Sequence, residues 1–161
     1  MDKNATQSRR ERYLTFHIGN EQYGIAIDRI KEIIAMMGIT KVPNIPPYMR
    51  GVINLRGSII PVVDTRLRFN MEHRESDMHT AIIIVEVQKI SIGFIVDRVE
   101  EVSSIESSSL SEPPKFGSSI DTDFICAVAQ IEDYVVMILD VLKLFEADEL
   151  VGIEQTQTQG E

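Results

Sequence analysis

Tryptophan is absent from this 161-residue chain, and cysteine occurs once, at Cys126. A disulfide framework needs cysteine pairs, so none is expected here, and a lone thiol fits a reducing compartment. A basic excess is also missing. The chain has 16 Lys and Arg against 25 Asp and Glu, for a net charge of −9 and a pI of about 4.8. Nucleic-acid binders carry a basic face, so that class is excluded. No run of 18 apolar residues occurs, which excludes a helical membrane span. Residues 1–12 lack the apolar stretch that directs secretion, so the expected location is the cytoplasm. What remains, with 43% apolar residues, is a globular chain large enough for one domain or two small lobes.

The acidic excess is uneven. Residues 1–12 carry +2 and read as a flexible leading segment, whereas residues 146–161 carry −5 without a cation. The stretch 149–161 is expected to be a disordered acidic tail that aids solubility, since its end, Gln155 to Glu161, has no apolar side chain. Residues 13–145 hold the remaining −6.

Period-two patterning dominates the rest. Leu14, Phe16 and Ile18 alternate with Tyr13, Thr15 and His17, and Tyr23, Ile25 and Ile27 follow after a Gly19–Gln22 turn. That is the signature of a β-hairpin. Ile59 to Val63 is β-branched but holds Pro61, which predicts an edge strand or a bulge. Ala81 to Val85 is apolar at every position, as in a strand covered on both faces, and is the expected seam between lobes. Ile90 to Val96 and Tyr134 to Leu139 complete the strong strands. Only Asp64–Phe69 and Asp140–Leu150 read as helical, each opened by an aspartate able to cap free N–H groups.

An internal repeat organises these elements. Phe16–Ile33 lies on Val85–Val102 at a constant offset of 69, with Gly24 on Gly93 and Asp28 on Asp97. Gly51–Phe69 lies on Ala127–Phe145 at an offset of 76, with Asp64 on Asp140. The seven extra residues fall in Ser103–Ser119, where eight of seventeen residues are serine. The chain therefore reads as a mostly-β domain over 13–148, with one lobe over about 13–77 and a second over about 78–145. Strand exchange between the lobes stays open. Lobes this small are marginal alone and must cover each other, and closing into barrels removes exposed strand edges.

No catalytic constellation emerges. His17, His73 and His79 lack metal-site spacing, and Cys126 reads as a small buried hydrophobe. Neither a phosphate-binding loop nor a nucleophile elbow is present. Asp28 with Asp97, and Asp64 with Asp140, sit at equivalent positions of the two copies. Duplication argues for caps and turns rather than a single reaction centre. Enzymatic activity and cofactors are therefore not expected. The copies differ most at one hairpin tip, Asn54-Leu55-Arg56-Gly57 against Gln130-Ile131-Glu132-Asp133, where Arg56 faces a glutamate across the alignment. They differ again at Ala35-Met36-Met37-Gly38-Ile39, an adaptable apolar segment whose counterpart is serine-rich.

The residues Tyr23-Gly24-Ile25-Ala26-Ile27, Ile30-Lys31-Glu32-Ile33, Gly51-Val52-Ile53-Asn54-Leu55-Arg56-Gly57 and Pro61-Val62-Val63-Asp64 resemble the signature of CheW-like domains. The likeness covers about residues 13–145 and departs at Thr65, where the family more often has Leu. It implies two packed SH3-like five-stranded barrels, with short helices after Asp64 and near the C-terminus. It also implies an adaptor that joins the cytoplasmic tip of methyl-accepting chemoreceptors to the regulatory domain of a CheA-type histidine kinase and helps build receptor arrays. Adaptors of non-chemotactic pathways and purely structural array components share the fold. The resemblance implies no cofactor and a free monomer. The receptor-facing candidates are Ile30, Glu32, Gly51, Asn54, Arg56 and Gly57; the kinase-facing candidates are Ile33, Met36, Met37 and Ile39. Glu32 and Arg56 are expected to pair and fix the hairpin.

Overall fold

A computed structural model describes residues 9–113 and 123–144. The leading segment before Arg9, the end of the serine-rich insertion and the expected acidic tail lie outside them. Among the described residues, eleven strands form two sheets. They are β1 (Arg10–Ile18), β2 (Glu21–Ala26), β3 (Ile30–Ala35), β4 (Met49–Leu55), β5 (Ser58–Asp64), β6 (Ala81–Val87), β7 (Ile90–Val96), β8 (Arg98–Glu106), β9 (Leu110–Ser111), β10 (Ile125–Ile131) and β11 (Tyr134–Leu139). One short helix, α1 (Thr65–Arg68), follows β5, and Val141–Leu144 forms a 3₁₀ turn. The Asp64 side chain accepts from the Leu67 N–H, which caps α1, and Asp140 does the same for Leu142.

The five-stranded sheet runs β3-β6-β7-β5-β4 and the six-stranded sheet β8-β1-β2-β11-β10-β9. Neither sheet is one copy of the repeat. Strands β6 and β7 of the second copy complete the first sheet, and β1 and β2 of the first copy complete the second. Four ladders make the exchange: the antiparallel β3–β6 and β1–β8, and two parallel ones with Val62 opposite Gly93 and Ile138 opposite Gly24. These glycines are repeat equivalents that allow close approach inside the lobes. A Cβ on Gly93 would stand 2.8 Å from Ile82 Cγ2, and one on Gly24 would stand 3.1 Å from Ile138 Cδ1.

Three apolar clusters follow. Ile53, Ile60, Val62, Ile82 and Ile84 fill the five-stranded lobe, and Tyr13, Ile105, Ala129, Val136 and Ile138 fill the other. A larger cluster joins Leu14, Phe16 and Ile25 to Ile83, Val85, Ile92 and Phe94 between the sheets. Strand β6 serves both, with Ile82 and Ile84 turned into its lobe and Ile83 and Val85 into the seam. That is why the whole run is apolar.

Two local readings are corrected. Strand β5 is interior, paired to β4 and β7; its ladder with β7 begins at Val62, one residue past Pro61, so the missing N–H falls outside that ladder. Cys126 is exposed, because it is the extra residue of a bulge between the Ile125–Leu139 and Ala127–Ile138 pairs.

Arg66 and Asp97 tie the sheets at one end of the seam. The guanidinium donates to both carboxylate oxygens, at 2.7 Å and 3.0 Å, and the Gly19 N–H donates to the same carboxylate at 2.7 Å. Burial alone would push the Asp97 carboxyl up, but Arg66, the Gly19 N–H and Arg74 together hold it below the usual carboxylate range. A carboxyl held low contributes stability above the ordinary carboxylate range and loses it as pH falls through the lowered value. Asp97→Asn should therefore cost about 2 kcal/mol at neutral pH and flatten the acid limb of the stability profile. Urea unfolding at a series of pH values checks both.

Candidate partner-binding surface

The open edges of the five-stranded sheet are β3 and β4, and closing them shapes the surface around the candidate residues. Thr40 and Val52 exchange two backbone hydrogen bonds of 2.8 and 2.9 Å, which join the chain after β3 to β4. Gly51 makes this approach possible. Its φ is +141°, and a Cβ there would stand 2.0 Å from the Thr40 carbonyl oxygen.

The β4–β5 hairpin carries the second closure. Arg56 and Gly57 have φ of 52° and 91°, the backbone of a tight two-residue turn. The Asn54 side chain accepts from the Gly57 N–H at 2.9 Å and so holds the tip. From that tip the Arg56 guanidinium donates to Glu32 on β3, as expected from the sequence. The hydrogen bond from Arg56 holds the Glu32 carboxyl below its usual range. Arg56 remains 68% exposed while bonded. Gly51, Asn54 and Gly57 thus build the hairpin and its seat, and Arg56 is both a strut and an outward charge.

Strand β3 is re-phased by a bulge. Ile30 opposes Val85 and Glu32 opposes Ile84, which leaves Lys31 unopposed. A bulge shifts the alternation by one residue, so Ile30 and Ile33 lie on one face although three residues apart. That face is the seam, because their cross-strand partners Val85 and Ile83 both belong to the inter-sheet cluster. Ile34, Met36 and Ile39 instead pack into the five-stranded lobe. Ile33 is therefore grouped with Ile30, away from Met36 and Ile39, with which it was placed from sequence. Met37 points outward, 37% exposed.

The same device recurs on β8. Val99 opposes Phe16 and Glu101 opposes Thr15, so Glu100 is the extra residue and Val102 faces the seam opposite Leu14. Ile33 and Val102 are repeat equivalents at an offset of 69, exposed by 43% and 46%. The sequence reading did not single out Val102, although its alignment on Ile33 was the available signal. Among the described residues, no group of three or more His, Cys, Asp or Glu could hold a metal ion. No helix there is long and apolar enough to cross a membrane.

Gly51→Ala should destabilise the chain by about 2 kcal/mol or more by overpacking against Thr40, measurable by thermal unfolding. The charge-swapped double variant Glu32→Arg/Arg56→Glu should recover most of the melting temperature lost in either single variant. No recovery would mean that the pair adds nothing to lobe closure.

The comparisons with known proteins agree with this architecture. The CheW-like domain family matches residues 12–149. The chain is 32% identical over 148 residues to the chemotaxis protein CheW of Bacillus subtilis, covering 92% of this chain and 91% of that one. It is 28% identical over 154 residues to the chemotaxis protein CheW of Klebsiella aerogenes, covering 96% and 93%. The crystal structure of the scaffolding protein TtCheW from Thermoanaerobacter tengcongensis superposes with a TM-score of 0.79 at 37% identity, over 88% of this chain and 96% of that one. This chain belongs to the CheW-like domain family.

Proposed function

We propose that this chain is a cytoplasmic adaptor that couples methyl-accepting chemoreceptors to the regulatory domain of a CheA-type histidine kinase within receptor arrays. The observation that carries the reading is the pair of bulged edge strands. Each presents two apolar residues toward the seam, Ile30 with Ile33 and Val99 with Val102, and the outer one of each pair is open to solvent. An amphipathic helix binds through an apolar face, so exposed apolar residues turned to the seam suit the helical hairpin tip of a receptor. Met37, on the segment that follows β3, offers an adaptable apolar contact on a different face and is assigned to the kinase, with Met36 and Ile39 supporting it from inside the lobe.

An adaptor of this kind needs no chemistry of its own. It acts by binding one partner more tightly when the other is in a given state, which is a coupling free energy between the two.

Reconstitution with a receptor fragment and a CheA-type kinase tests the proposal. Omission of this chain should abolish receptor-dependent kinase activation. Ile33→Glu and Val102→Glu should each weaken receptor binding at least tenfold while leaving the melting temperature within a few degrees of the parent. Full activation without the chain, or unchanged receptor binding by both variants, would refute the reading.

A further inference from the structure

The two bulges that turn Ile33 and Val102 to the seam are held by different chemistry. Their extra residues, Lys31 and Glu100, are repeat equivalents at an offset of 69. Lys31 donates to Ser91 Oγ at 2.9 Å, a partner that does not titrate near neutral pH. Glu100 instead meets a histidine. Its Oε2 accepts from Arg98 Nε at 2.8 Å and stands 2.8 Å from His17 Nδ1. Phe16 belongs to the inter-sheet cluster, so alternation along β1 turns His17 away from the seam. Arg98 lies opposite His17 on β8, and the three side chains clamp the strand beside its bulge.

The His17 side chain is 20% exposed, and its Nδ1 is shut off from solvent without an aligned hydrogen bond. Two bare lone pairs repel at such a distance, so Nδ1 carries a proton in this contact. An N–H that points off the line gives little as a neutral hydrogen bond. The attraction to Glu100 therefore depends on whether the ring is charged. A cavity of about 330 Å³ beside the ring is lined by Arg74, Asp77 and His79 of the loop before β6, and by Asp97 and Arg98. The ring lines it too and can exchange protons with solvent there. Arg74 and Arg98 oppose a charge on His17, whereas Asp77, Asp97 and Glu100 favour one. Arg74 is engaged by Asp77 at 3.0 Å and Asp97 at 3.5 Å, and Asp97 is held by Arg66. β2 places the uncharged Gln22 opposite. Glu100, shared between His17 and Arg98, is then the acid nearest the ring and the one that decides.

We propose that His17 is a positioning residue for the Val102 face: its protonation locks the β8 bulge and strengthens engagement of an apolar helical partner as pH falls. The inference rests on the seam being the receptor-facing surface proposed above. Below the ordinary imidazole range the ring is a cation and the clamp is closed. As pH rises through that range, Glu100 keeps only Arg98 and the bulge loosens. Lys31 stays charged throughout, so the Ile33 side of the seam does not follow.

Chemical shifts of the full chain between pH 5 and 8 test this without a partner. The Val99 and Val102 methyl shifts should move with the His17 ring titration, and those of Ile33 should not. His17→Gln should abolish the movement, whereas His79→Gln, across the same cavity, should leave it. A soluble fragment carrying the helical hairpin tip of a chemoreceptor should then bind about threefold tighter at pH 6 than at pH 8, the size expected of a partly exposed ion pair. His17→Lys, a permanent cation, should bind tightly at both pH values, and His17→Gln weakly at both. Val102 shifts that ignore the His17 titration, or that persist in His17→Gln, would overturn the inference, as would pH-independent binding by the parent chain. An absence of binding by every variant at both pH values would overturn the receptor assignment instead, and the shifts of the free chain would still decide the role of His17.

Discussion

The parallel ladders between β2 and β11 and between β5 and β7 are the constraint on which the rest depends. Each lobe is completed by strands from the other half of the chain. Neither half can close a barrel alone, so the stability of a lobe and the association of the lobes are one property. Gly24 and Gly93 sit in these ladders, and a Cβ at either would crowd isoleucine side chains inside its lobe. The inter-sheet cluster supplies the driving force. Its phenylalanines, isoleucines and valines are buried against the opposite sheet, each worth roughly 2 kcal/mol relative to exposure. Pairings so distant in sequence also predict slow folding compared with a helical protein of this size.

Near-symmetry makes the departures from it informative. Tyr48 and Phe124 are repeat equivalents, and the Arg68 guanidinium lies over both rings, at 5.5 Å and 5.3 Å. Its Nε donates to the carbonyl of Leu144, the residue equivalent to Arg68 itself. A single side chain therefore bridges the two copies, and the second copy has leucine in its place. Asp97 departs in the same way. It gathers Arg66, Arg74 and the Gly19 N–H, whereas its counterpart Asp28 is exposed and has no such partners among the described residues. The symmetric features build the lobes, and the asymmetric ones fix how they sit together.

Alternation and the repeat made much of this legible. Hairpins, caps, the doubly apolar β6 and the Glu32–Arg56 pair all follow from local patterns or from aligning the copies. Partner choice among strands did not follow, because a period of two reports which faces are buried and not which strand lies alongside. Bulges were equally hidden. Ile30 and Ile33 are out of phase for a regular strand, and only the unopposed Lys31 brings them to one face. Cys126 was read as buried for the same reason: the bulge that turns it outward has no sequence signature of its own. Arg68 gave no signal at all, since an arginine at the end of a short helix is ordinary until both rings are seen beneath it.

The bulges also connect the surface to the interior. On β3, Ile33 looks toward the seam while its neighbours Glu32 and Ile34 belong to the closure and packing of the five-stranded lobe. A helix laid on Ile33 and Val102 would press on strands whose other faces hold the lobe interiors. A densely packed interior does not absorb displacement locally, so load at the seam is shared with both lobes. Strand β3 then leads directly into Met36, Met37 and Ile39, the segment assigned to the kinase. One short strand thereby joins the two binding faces of the proposed adaptor, and its regular extension is interrupted only at Lys31. The coupling this arrangement supports depends on how stiffly β3 is held. The Glu32–Arg56 bond holds the strand itself, and the Thr40–Val52 bridge holds the segment that follows it.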